Sequence, residues 1–385
     1  MADEINTALL PEGLHDRLAP KAAFEAHLMA QLQASFASYG YDRVEPPLVE
    51  FEEGLLTGPG TRLSRHMFRV MDPASQRMMA VRADMTGQVA RIGRTRLAAA
   101  ARPLRLCYGG DVLRVKGSQL RPERQFKQAG VELIGADNVE AYVDVLLLAA
   151  DALQNLGVEG LSIDLTMPRL VPTICEGLGL EPEVAAEYRN ALNAKDSAAL
   201  QQFENGLNAL GQALVDIGGP ASAALEQLMA ISLPMAARDM VEEISRLVTR
   251  LADVMPHLTL TLDPVEYQGF EFQTGIGFTL FARGVRGELG RGGRYVVSAS
   301  DDEEDKGEVA TGFSVYLDSV SRAVKKMPMA RKVFVPYGTD KVLAEELRAQ
   351  NWRTVQGLEA GVNVREEAQR LGCSHVLCGD EVEEV

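Results

Sequence analysis

A chain of 385 residues has room for two or three domains, and its balance of 46% hydrophobic to 24% charged residues is that of a folded globular protein, which excludes a disordered or fibrous class. The formal net charge of −15 argues against nucleic-acid binding, because neutralising phosphates takes Lys and Arg. The sequence has no basic-apolar leader and no run of about 18 apolar residues, so no membrane association is expected and the expected compartment is the cytoplasm.

Helical spacing of Phe24, Leu28, Leu32 and Phe36 predicts a first helix over 19–39, ended by Gly40. "YDRVEPPLVEFEEGL" (41–55) predicts a short strand stopped by Pro46 and Pro47, since proline cannot continue an internal ladder. "MMAVRADMTGQVARIGRT" predicts a strand running into a helix, with Asp84 or Thr86 near the helix start. "LRLCYGGDVLRV" and "RQFKQAGVELIG" predict an antiparallel pair with a long polar connection, followed by a helix over 138–157 and a strand over 161–166. Residues 168–256, rich in Ala, Leu, Glu and Gln, predict a helical insertion. Strands resume over 259–298, interrupted by "RGVRGELGRGGRY", and a strand and helix follow over 309–326.

Within this stretch, "YQGFEFQTGIGFTLFA" (267–282) alternates like a strand and yet carries neutral amides at Gln268 and Gln273, where a site would want a charge or a ring. After Pro328 the chain predicts β-α-β-α-β, a small parallel α/β unit. The expected division is therefore a core over 1–327 and a small domain over 328–385. The glycines form neither a dinucleotide fingerprint nor a phosphate-binding loop. Cys107, Cys175, Cys373 and Cys378 complete no zinc pattern and read as buried thiols. No metal and no cofactor is expected.

Seven segments in order, "LLPEGLHD", "YGYDRVEPPLVEFEEGL", "VRADMTGQVARI", "VLRVKGSQLRPERQFKQAGVELIG", "FEFQTGIGFTLFA", "GRGGRY" and "TGFSVYLDSV", resemble the catalytic domain of class II histidyl-tRNA synthetases from about residue 7 to 327. The resemblance implies an α+β fold: a six- or seven-stranded antiparallel sheet flanked by helices, carrying the helical insertion and the small C-terminal α/β unit. It also implies a homodimer built by the first motif.

By the same resemblance Asp84 (in place of a family Glu), Thr86, Arg114, Gln128, Glu132 and Tyr295 fall on positions of an amino-acid pocket, with Tyr295 on the imidazole side and Arg114 matching the arginine that holds the α-phosphate. Such a pocket suits an α-amino acid, whose ammonium needs carboxylates and carbonyl acceptors. Read singly, Asp84 caps a helix and Glu132 is a rim charge.

The nucleotide positions depart from the family. Lys116 stands where a glutamate seats adenine, and Tyr316 and Ser319 replace the glycine and arginine of the third motif. Gln268 replaces the catalytic arginine, and Gln273 replaces a pocket tyrosine. Losing one preorganised charge costs roughly 10²–10³ in rate. Arg121, Arg124, Arg291 and Arg294 are the arginines placed to compensate. The 55 residues after Ala330 hold 7 Lys+Arg against 10 Asp+Glu, a poor match to the family's anticodon domain, so no tRNA partner is expected.

A synthetase-like core that has lost these groups resembles the ATP phosphoribosyltransferase regulatory subunits. That resemblance implies a non-catalytic homodimer joining the catalytic subunit in a hetero-octamer of histidine biosynthesis, activating it and taking part in histidine feedback. An adenylate-forming paralogue and a stand-alone amino-acid sensor are the alternatives the sequence leaves open.

Overall fold

The computed structural model describes residues 9–55, 64–117, 121–267, 269, 272–297, 307–325 and 331–385. The chain folds as two compact units that divide after Lys325. Among the described residues no helix is long and apolar enough to cross a membrane, and no group of three or more His, Cys, Asp or Glu could hold a metal ion.

In the first unit, α1 (Lys21–Ser38) buries Leu28, Leu32 and Phe36, spaced four apart on one face. It stops where Gly40 takes φ +78° and its N–H reaches the carbonyl of Ala37, a left-handed glycine cap. The prolines of the first motif separate β1 (Asp42–Arg43) from β2 (Val49–Phe51). After α2 (Glu52–Leu55), strands β3 (Arg69–Met71) and β4 (Met78–Val81) join β2 in a small sheet of order β2-β4-β3. Helix α3 (Thr86–Thr95) follows, then the long pair β5 (Leu104–Leu113) and β6 (Gln125–Ile134), antiparallel over ten residues as the alternation predicts. Helix α4 (Val139–Asn155) is capped by Asn138, whose side chain accepts the Ala141 N–H.

Beyond β7 (Leu161–Thr166) lies the insertion: α5 (Leu170–Gly177), α6 (Pro182–Asn193), α7 (Ser197–Leu200), α8 (Leu207–Asp216), the two-residue β8 (Gly219–Pro220), α9 (Ala221–Ala230) and α10 (Met235–Val254). The chain returns through β9 (Thr259–Asp263), β10 (Gly277–Ala282), β11 (Gly290–Val297), β12 (Glu308–Tyr316) and α11 (Leu317–Ala323).

The main sheet differs from the expectation of six or seven antiparallel strands. Among the described residues it has nine, in the order β1-β5-β6-β12-β11-β10-β7-β9-β8, and both β1–β5 and β7–β9 pair in parallel. A parallel pair needs a long crossover, and for β7 and β9 the helical insertion supplies it. The two extra edge strands, β1 and β8, have two residues each, too few for a periodicity to reveal.

Among its described residues, the stretch read as one strand over 267–282 is strand only from Gly277, and Gly269 and Phe272 lie in turns. Here the chain instead folds back on β11, with the N–H groups of Thr274 and Gly275 both directed at the Arg294 carbonyl. "GRGGRY" is not a connection but the body of β11, because each glycine leaves room for a neighbour. A Cβ on Gly292, for example, would strike the Phe278 ring.

One face of the sheet carries Cys107, Ala129, Val131, Leu133, Phe313 and Val315 under α1, α4 and the insertion, in one continuous core. The other face carries Leu104, Leu106, Tyr108, Phe126, Ile134, Tyr295 and Tyr316 against Met85, Val89 and Ala90.

The second unit is the sheet β14-β13-β15-β16, with β13 (Lys332–Val335), β14 (Arg353–Gln356) and β15 (His375–Cys378) parallel, crossed by α12 (Lys341–Ala349) and α13 (Val364–Arg370). Its last strand, β16 (Glu381–Glu384), runs antiparallel to β15 and is additional to the β-α-β-α-β order that the sequence predicts.

Candidate functional site

On the second face the strand register lines up four rows of side chains. Gln128 pairs with Gly110 and Tyr316, Gly130 with Tyr108 and Ser314, and Glu132 with Leu106 and Gly312; Ile134 pairs with Leu104 and Ala310. Through β11, Gly293 extends the Glu132 row and Tyr295 the next. Glycines therefore floor this patch while polar side chains rise from it. The floor is required: a Cβ on Gly130 would strike the Tyr108 hydroxyl, and one on Gly312 would strike the Glu132 carboxylate.

Five of the six expected pocket residues meet here. Asp84 lies just ahead of Met85, the N-cap of α3, and accepts the Thr86 N–H at 2.8 Å; its other oxygen accepts the Gln128 amide N–H at 2.9 Å. Gln128 is wholly buried, and its oxygen accepts the Met85 N–H at 3.1 Å. The network continues from the Gln128 amide to Ser314 Oγ, then to the Tyr108 hydroxyl at 2.8 Å, which also stands 3.2 Å from Thr86 Oγ1.

Glu132 is not the rim charge that its type alone suggests. It is 1% exposed. The Tyr108 hydroxyl donates to one carboxyl oxygen at 3.1 Å and the Tyr295 hydroxyl to the other at 2.8 Å. Burial pushes its carboxyl up to about 8; the bonds from Tyr295, Thr86 and Tyr108 pull the other way, and the Asp84 charge adds to the rise. Burial also holds both tyrosine hydroxyls well above their usual range, so they stay donors.

Tyr108 and Ser314 were missed as site residues. Their signal is the register, which sets both beside Gly130 and is not visible before the strands are paired.

Arg114 lies apart from this network. Its guanidinium stands 5.1 Å from the Phe126 ring centre, and its Nε donates to the Ala83 carbonyl at 3.2 Å. Lys116 is exposed, and Gln268 lies outside the described residues. Tyr316 is buried, edge-on to Phe126 at 5.8 Å, with the Arg121 guanidinium 3.9 Å from its ring centre. Arg121 is ion-paired to Asp318 at 3.0 Å and donates to Ser319 Oγ at 3.3 Å.

The other candidate cations are also engaged. Arg291 pairs with Glu288 at 3.6 Å, and Arg124 donates to the carbonyls of Glu12 and Arg114. Arg294 points to the opposite face of β11, where it pairs with Asp137 and Glu243 and lies 4.0 Å over Tyr142. Gln273, 4% exposed, folds over Gly293 and donates its amide N–H to the Gly292 carbonyl at 2.7 Å.

The arrangement is a buried, acceptor-rich patch able to receive a small cation, beside a patch where arginines are already matched to carboxylates. Residues 13–320 match the family model described as histidyl-tRNA synthetase. The chain is 50% identical to the ATP phosphoribosyltransferase regulatory subunit of Rhodospirillum centenum, across 98% of this chain and 96% of that one. It is likewise 50% identical to the protein of that name from Paramagnetospirillum magneticum, across 100% of both. Among solved structures it resembles an ATP phosphoribosyltransferase regulatory subunit/histidyl-tRNA synthetase from Bacillus halodurans, with TM-score 0.82 at 23% identity over 94% of this chain and 96% of that one. It also resembles a histidyl-tRNA synthetase from a Nostoc species, with TM-score 0.78 at 17% identity over 98% of this chain and 96% of that one. At these identities the structural likeness speaks for the fold.

Proposed function

The chain belongs to the family of ATP phosphoribosyltransferase regulatory subunits, which shares the histidyl-tRNA synthetase fold, and from that premise we propose that it is a non-catalytic subunit that binds and activates the catalytic phosphoribosyltransferase and carries histidine feedback to it. In this reading it forms a homodimer, has no tRNA partner and uses Asp84, Thr86, Gln128, Glu132 and Tyr295 to hold histidine, with Arg114 near the ligand's carboxylate. Residues 1–327 are the binding core and 328–385 an accessory domain.

One observation carries the reading: the polar network from Asp84 to Tyr295 is intact, while the positions that would clamp a nucleotide hold Tyr316 and Ser319, packed against an Arg121 already paired with Asp318. A pocket that binds without reacting can still regulate, if binding favours one assembly state; such couplings typically amount to about 1–3 kcal/mol.

The test is reconstitution. The catalytic subunit is assayed for phosphoribosyl transfer to ATP alone, with this chain, and with this chain plus histidine. Activity that rises with the chain and falls with histidine is the expected result. A catalytic subunit whose rate and histidine response are the same with and without the chain would refute the proposal.

A further inference from the structure

Gln273 replaces a ring that the related synthetases carry in this pocket, and by itself reads as a loss. Its surroundings say otherwise. Its nitrogen is committed to the Gly292 carbonyl, which fixes the amide's orientation and leaves Oε1 as the free end. That oxygen is buried and has no hydrogen-bond partner among the described residues. Buried acceptors without a partner are uncommon in folded proteins, because the desolvation is not recovered. Here a glycine with φ +151° sits directly beneath the oxygen, and a side chain at 293 would collide with it.

The position of the unpaired oxygen is informative. Gln273 Oε1 lies over Gly293 and Glu132 Oε2 lies over Gly312, and these two glycines are direct partners between β11 and β12. Positions directly opposite one another across an antiparallel pair share a face of the sheet, so the two oxygens stand over neighbouring sites of one row. Both are acceptors, and the hydroxyls that bond Glu132 come from Tyr108 and Tyr295 rather than from a cation.

We propose that Gln273 is a specificity-determining residue of the pocket: its Oε1 accepts a second N–H from the same protonated ligand group that Glu132 holds, so the pocket selects a doubly donating nitrogen cation. This rests on the reading that the pocket binds histidine, and it adds a requirement that reading does not make. Histidine has two such groups, the ammonium and the protonated ring, and removing donors from each in turn separates them. A tyrosine at 273 could donate or accept; the pinned amide can only accept, so the substitution narrows the ligand's charge state rather than ending recognition.

The experiment is calorimetric titration of the full-length protein with histidine, with 1-methylhistidine and 3-methylhistidine, which each lack one ring N–H, and with imidazolepropionate, which lacks the amine. It is repeated on Gln273→Met, which keeps the length and removes the acceptor. A hydrogen bond to a charged group corresponds to about a ten- to hundredfold change in affinity. The wild type is expected to discriminate by that factor against at least one analogue, and Gln273→Met to bind histidine more weakly by the same factor while losing the discrimination. Equal binding of all four ligands by the wild type overturns the proposal without need of the variant, as does a Gln273→Met protein that keeps both affinity and ranking. Wild type that binds no histidine removes the pocket reading itself, and this inference with it.

Discussion

Replacing Glu132 with glutamine keeps the side chain's shape and removes its titration. Burial raises this carboxyl from 4.5 to about 8, so between those values the folded protein holds a proton that the unfolded chain has released. Stability contributed by the protonated form is thus fully present below about pH 4.5 and drains away as pH rises toward 8. At about 1.4 kcal/mol per pKa unit the loss reaches at most about 5 kcal/mol. Glutamine pays no ionisation penalty. Glu132→Gln is therefore expected to match the wild type within about 1 kcal/mol at pH 4.5, and to exceed it by about 3–5 kcal/mol at pH 8. Urea denaturation of both proteins at pH 4.5, 6 and 8 reads this directly, and the difference should grow monotonically. Curves that run parallel, or a variant less stable at pH 8, would refute the placement of a proton on Glu132. In the same variant, histidine inhibition of the assembled complex should weaken at least tenfold, since the carboxyl can release its proton when a cation binds and an amide cannot.

Tyr108→Phe should destabilise the fold by about 1–3 kcal/mol, because Ser314, Thr86 and Glu132 each lose a partner in a site closed to water; chemical denaturation measures it. Gly312→Ala should cost several kcal/mol and abolish histidine binding, since its Cβ meets both the Glu132 carboxylate and the Val131 carbonyl; a variant that melts with the wild type would show the strand register to be wrong. Histidine-dependent pyrophosphate–ATP exchange should be absent, and a rate even one-hundredth of a synthetase's would contradict the non-catalytic reading. Sedimentation at micromolar concentration should give a dimer, and a monomer with and without the catalytic subunit would remove the role given to the first motif.

Much of the fold was legible because its long elements carry strong periods. The β5–β6 pair alternates over ten residues, and α1 places an apolar side chain every fourth position. What escaped has a physical reason in each case. Strands β1 and β8 are too short to show a period, and β16 has an acidic sequence in which Val382 alone packs against the small core. The alternation of 267–276 is genuine, yet the N–H groups of Thr274 and Gly275 go to β11 as a fold-back, because tertiary hydrogen bonding outweighs weak strand propensity. At the site, side-chain types identified Asp84, Gln128 and Glu132, but their depth depends on the glycines of three other strands. A carboxyl over Gly312 is buried only once β6 and β12 are in register.

The two halves of the patch differ in a way that separates binding from chemistry. Around Glu132 the side chains bond one another through hydroxyls and amides, which can be exchanged for a ligand's donors at little loss, since each protein bond given up is replaced. Around Tyr316 the contacts are of another kind. Arg121 is stacked on the ring, ion-paired to Asp318 and within 3.7 Å of Glu288. A triphosphate entering there would have to separate a buried arginine from its carboxylates, and breaking such a pair typically costs about 3–5 kcal/mol because it strands an uncompensated charge. Restoring a single arginine at 319 would therefore not restore nucleotide binding: the new cation would face Asp318, and the existing one would keep its place. Ser319→Arg is expected to leave ATP binding undetectable by titration. Detectable ATP binding by the single variant would mean that Arg121 moves freely, and that its pairing is not what closes the site.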